Sequence, residues 1–108
     1  LGGTGSWKAY DITTIANDFG ATHPSAAILS IEVEQGENGG GAVFAGYNIP
    51  SGGGDPSASF ICGKFASGGH DTEAHGACMA IVPVIQDGST FSLYLHITNA
   101  TTTLVGFL

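Results

Sequence analysis

The sequence contains no arginine, and Lys8 and Lys64 are its only basic side chains apart from histidine. Against nine acidic residues they leave a formal charge of −7 at pH 7. With no guanidinium fork and no basic patch to neutralise phosphate, nucleic acids and anionic membrane surfaces are poor partners, and no nucleic-acid binding is expected. Long hydrophobic runs are missing too. No stretch approaches the roughly 18 unbroken apolar residues of a membrane helix, and the start lacks the basic-then-apolar shape of a signal peptide, so no membrane insertion is expected. The chain opens on Leu1 rather than methionine, which fits a processed product or a piece of a longer polypeptide. Charged residues amount to 10% of the chain, well under the usual quarter.

Motifs with a built-in chemistry are absent as well. There is no G-x-S-x-G elbow, no H-E-x-x-H, no phosphate-cradling loop ending in GK[ST], and no G-x-G-x-x-G after a strand, so no catalytic residue is assigned and no enzymatic activity is expected. Glu32 and Glu34 lie two apart on one strand face, the ordinary place for surface acids. Cysteine is scarce: Cys62 and Cys78 are the only two, 16 positions apart and each inside an apolar run. That spacing is no zinc knuckle or CxxC redox pair. If the two runs are neighbours in space, a disulfide is the expectation, and two buried thiols acting as small apolar side chains are the alternative.

What the chain does have is glycine, 18 of 108 residues, more than twice the usual share of about 7%. Hydrophobic residues at 43% suffice for one core, so residues 1–108 form a single domain. Alternation with period two recurs where helical spacing does not. Trp7 to Thr13 places Lys8, Tyr10 and Ile12 on one face and Trp7, Ala9 and Asp11 on the other. Ala26 to Glu34 turns Ala27, Leu29, Ile31 and Val33 inward. Ala42 to Tyr47 resumes after the glycine loop at residues 36–41, which reads as a hairpin. Ser57 to Phe65 and Gly76 to Ile85 read as the next strand pair, joined by the polar connection from Ala66 to His75. Asp87-Gly88 marks a tight hairpin leading into Phe91, Leu93, Leu95 and Ile97. Thr102 to Leu108 closes the chain as a strand after the Asn99-Ala100 turn. Only Thr14 to Asp18 reads as helix, with Asp11 or Thr13 as its N-cap. About seven short strands without helical interludes predict an all-β fold, an antiparallel β-sandwich of jelly-roll-like kind.

Two residue sets suggest ligands. Trp7, Tyr10, Tyr47, Asn48 and Asp55 combine aromatic rings with an amide and a carboxylate, the types that suit a pyranose with its apolar face and ring of hydroxyls. Trp7 and Tyr10 would serve equally as packing residues with a polar tip outside. His70, Asp71, Glu73 and His75, in one loop, offer imidazole and carboxylate ligands of the kind transition metals accept, and read otherwise as a solvated acidic loop. A divalent metal is the only cofactor these residues suggest. Asn99-Ala100-Thr101 is an N-glycosylation sequon, which matters only in a secretory setting. His23 reads as a turn residue before Pro24, and His96 as facing away from the core face of its strand.

The order of short motifs resembles that of β-sandwich modules on the tail and surface fibres of phages and large viruses. These motifs are Trp7-Lys8-Ala9-Tyr10-Asp11-Ile12-Thr13, then Pro24-Ser25-Ala26-Ala27 leading into the Leu29-x-Ile31-x-Val33 strand, then Val82 to Gly88, and finally Val105-Gly106-Phe107. The chain departs from that pattern after the glycine loop, where Gly41-Ala42-Val43-Phe44 replaces an expected basic residue, and in the elaborated His70 to His75 loop. The resemblance implies a surface-binding or fibre-tip role in a homo-oligomer, with a trimer favoured, and carries no catalytic residue.

The expectation from sequence is therefore a non-enzymatic extracellular or virion-surface module, binding a cell-surface glycan or receptor and acting as an oligomer. Low charge and the apolar residues on both faces of the Ala77 to Ile85 strand, Met79 and Ile81 against Ala80, Val82 and Val84, argue for buried self-contact. The alternative is a self-assembling structural protein: a fibre, capsid-decoration or matrix subunit.

Overall fold

The computed structural model describes residues 1–35, 40–66 and 74–108, leaving aside the side chains of residues 34, 35, 74 and 75. Where the sequence alternates, the chain is strand: β1 Trp7–Asp11, β2 Ala26–Gln35, β3 Gly40–Gly46, β4 Ser59–Ala66, β5 Ala74–Pro83, β6 Ile85–Asp87, β7 Thr90–Thr98 and β8 Thr101–Phe107. One short helix, α1 Thr13–Asp18, follows β1. Two antiparallel sheets pack together, one in the order β1-β7-β3-β4 with β6 also on β7, the other in the order β5-β2-β8. The fold is thus the expected all-β sandwich, with eight strands among the described residues. No helix among the described residues is long and apolar enough to cross a membrane.

The extra strand comes from Val84. Pro83 ends β5 beside β2, and Val84 donates its N–H to the Ser25 carbonyl at 3.1 Å. The chain then crosses to the other sheet, where Ile85–Asp87 pairs with β7 and turns through Gly88-Ser89. Proline lacks the N–H a ladder needs, so the run read as one strand divides there.

The pairings expected around the glycine-rich connections are not the ones formed. β2 pairs with β5 and β8, whereas β3 pairs with β4 and β7, so β2 and β3 lie in different sheets and do not form the expected hairpin. Likewise β4 pairs with β3 and, among the described residues, not with β5. Alternation dictates which side chains point inward but is silent on which strand lies alongside.

The inner faces meet in a core of Leu29, Ile31, Val43, Val82, Leu93, Leu95 and Ile97, with Ile12 closing one end. Each fully buried side chain of this size contributes about 1.5–3 kcal/mol over its exposed state. The N-cap of α1 is Ile12 and makes no side-chain cap bond, so neither expected residue sits at the cap. Asp11 Oδ1 instead accepts the Thr13 N–H at 3.0 Å and the Thr13 hydroxyl at 2.7 Å. Thr13 Oγ1 in turn accepts the Phe91 N–H at 2.9 Å, tying the helix to β7.

Candidate functional site

On the outer face of the larger sheet the registers of three strand pairs line up one transverse row. Trp7 on β1 stands opposite His96 on β7, His96 opposite Phe44 on β3, and Phe44 opposite Ile61 on β4. Three inter-strand spacings make this row about 14 Å long. The rings meet edge to face: Trp7 and His96 centroids are 5.6 Å apart at 78°, Phe44 and His96 6.0 Å apart at 83°. Edge-to-face contact sets a positive ring edge on a negative face, which fixes the side chains without a hydrogen bond. The His96 Nδ1 lies 3.4 Å from Thr98 Oγ1.

Asp55 reaches this row from the loop between β3 and β4. Tyr94, also on the outer face of β7, donates its hydroxyl to the Gly54 carbonyl at 2.6 Å, and its ring stacks under Trp7. Asn48 Oδ1 accepts both the N–H and the hydroxyl of Ser57, each at 2.8 Å, bracing the loop from its other end. The loop lies against the sheet because position 46 has no side chain. A Cβ on Gly46 would sit 2.9 Å from Pro56 Cγ and 3.1 Å from Tyr94 Cδ2. The result is a shallow open groove of about 270 Å³ lined by Trp7, Phe44, Asp55 and His96.

Of the residues expected to bind a ligand, Trp7 and Asp55 come together here. Tyr10 does not join them: it faces the core, 7% exposed, with its hydroxyl donated to the Gly2 carbonyl and its ring beneath Lys8 Nζ at 4.9 Å. Burial pushes the Tyr10 phenol up. Tyr47 is exposed but packs on Phe60, centroids 5.5 Å apart, away from the groove. Asn48 supports the loop rather than the groove. Phe44 and His96 were not among the expected ligand residues. Alternation within β3 and β7 turns both outward, but their convergence depends on β7 lying between β1 and β3, which no local pattern announces.

His70, Asp71 and Glu73 and the side chain of His75 lie outside the described residues, so the expected metal loop does too. Among the described residues no group of three His, Cys, Asp or Glu side chains gathers to hold a metal ion. Cys62 and Cys78 are free thiols in this structure, so the expected bridge is not formed in it. They nonetheless meet, with Cys78 Sγ 3.8 Å from the Cys62 carbonyl oxygen. Burial, and secondarily the neighbouring Cys78, pushes the Cys62 thiol up to about 12.

The outer face of the smaller sheet has a different character. Met79 and Ile81 on β5 and Val105 on β8 are 67%, 58% and 42% exposed and flank the half-buried Ile28 of β2. Comparison with protein-family models, with curated proteins and with solved structures finds no match to this chain.

Proposed function

We propose that this chain is a non-enzymatic binding module of an extracellular or virion surface, taking a glycan in the groove of Trp7, Phe44, Asp55 and His96. The observation that supports it is the pairing of an aromatic row with one exposed carboxylate in an open groove. The apolar face of a pyranose stacks on aromatic rings while its hydroxyls need an acceptor at the rim, and Asp55 is that acceptor. From Trp7 through His96 to Phe44 the ring row spans two inter-strand spacings, about 10 Å, which favours more than one sugar ring. The acidic balance turns such a module away from polyanionic glycans. A glycan array followed by calorimetric titration tests this reading. Binding of a neutral oligosaccharide by the wild type and its loss in Trp7→Ala are expected. An empty array, or a Trp7→Ala variant that binds as well as the parent, overturns it.

A second reading, self-assembly, draws on the face of Ile28, Met79, Ile81 and Val105. An exposed apolar patch is what a partner copy covers. Glu32 stands exposed on the same face of β2, opposite Ala77 and Thr101, and bounds the patch at that end. Concentration-dependent oligomers without glycan preference favour a structural subunit. Oligomers that also bind glycan favour a multivalent binding module.

A further inference from the structure

β4 and β5 are edge strands of different sheets and share no ladder, yet their Cα atoms approach within 8 Å of each other. Sheets stacked face to face ordinarily lie about 10 Å apart. Two glycines permit the closer approach. A Cβ on Gly63 would fall 2.7 Å from Cys78 Sγ, and one on Gly76 would fall 2.0 Å from Phe65 Cδ1. At this pinch Cys62 occupies the irregular step of β4, where the β3 register shifts between Val43 and Phe44, and packs against the core. Cys78, opposite the buried Ile31, points into the same core from β5. Its sulfur rests against the Cys62 backbone, 3.8 Å from the carbonyl oxygen.

We propose that Cys62 and Cys78 are a redox-closable pair, which a low-molecular-weight disulfide such as oxidised glutathione converts into a cystine clamping the two sheets together. A disulfide needs its Cα atoms within about 7 Å, and the two strands that carry the cysteines approach within 8 Å while the Cys78 sulfur touches the Cys62 backbone. One of the two thiols, as its thiolate, attacks one sulfur of the small disulfide and expels a thiolate, leaving a mixed disulfide. The second protein thiol, giving its proton to solvent, then attacks the protein sulfur of the mixed disulfide and expels the second small thiol. Two electrons have passed to the small disulfide, which ends as two thiols, while the protein has lost two hydrogens.

The test treats the purified chain with oxidised glutathione or with a reductant and reads intact mass, alkylation and melting temperature. The expected product is monomeric, lighter by two hydrogens, closed to alkylation, and melts roughly 10 °C above the reduced form. The single variants Cys62→Ser and Cys78→Ser should fold by circular dichroism and show no such upward shift. Two thiols that stay alkylatable, a glutathione that stays attached, a bridge between chains, or a bridge without change in melting each overturn the proposal.

Discussion

The indole of Trp7 lies on the phenol ring of Tyr94, centroids 5.3 Å apart and planes 16° from parallel, and the same Tyr94 holds the Gly54 carbonyl through its hydroxyl. One side chain therefore supports the aromatic platform and anchors the loop that carries Asp55. Trp7→Ala should weaken glycan binding roughly tenfold or more, since a stacked ring contributes up to about 1.5 kcal/mol beyond its buried area. Tyr94→Phe keeps the ring and loses only the hydroxyl, so affinity should fall about fivefold for about 1 kcal/mol of lost hydrogen bond. Titration calorimetry on both variants checks the order.

Gly46→Val is a sharper test of how the groove is built. Its side chain would displace Pro56 or Tyr94. The expected result is a folded sandwich with a lower melting temperature and no measurable binding, although position 46 touches no ligand. Retained affinity would mean that the loop does not need its seat on the sheet.

For the outer face of β5 and β8, the double variant Met79→Lys and Ile81→Lys should dissolve any oligomer while leaving the melting temperature of the monomer within a few degrees, because both side chains point to solvent. Sedimentation across a concentration series reads the outcome.

Two titrations should bend the stability curve at opposite ends. Hydrogen bonds from the Thr13 hydroxyl and then its N–H hold the Asp11 carboxyl below its ordinary 3.8. Its contribution is complete above that value and is lost as the pH falls through the lower folded one. Cys62 behaves oppositely. Its thiol is raised from 9.0 to about 12, so its contribution is complete below pH 9.0 and is lost as the pH rises towards 12. Melting temperatures against pH should show both limbs, with Asp11→Asn removing the acid one and Cys62→Ala the alkaline one.

In the core, Leu95→Ala should cost about 2–5 kcal/mol, because the side chain is fully buried in the core, opposite Ala45 on β3. Denaturant unfolding measures this directly.

Much of this was legible beforehand. Ala27, Leu29, Ile31 and Val33 are all buried, and Met79 and Ile81 are exposed on the second face of their strand, because period-two alternation is a local property. The groove was half legible. Trp7 and Asp55 belonged to the expected set, but Tyr10, one pleat from Asp11, had to fall on the core side once Trp7 fell on the outer one. Phe44 and His96 required knowledge of strand order, which depends on contacts between residues dozens of positions apart.

Strand order has a kinetic consequence as well. Among the described residues β1 pairs with β7 alone, Trp7 opposite His96, and β7 is also the strand on which β3 and β6 are built. Until the chain has been made and collapsed as far as residue 98, the first strand has no ladder to join and the larger sheet has no centre. Loop-closure entropy must be met before any of these pairings stabilises the rest, so refolding should be slow for a domain of this size, in milliseconds to seconds. During that interval Trp7 is a sticky side chain on an unpaired strand and β3 lacks its β7 neighbour, which makes the order of assembly, more than the final stability, the point at which this chain is most easily lost to aggregation.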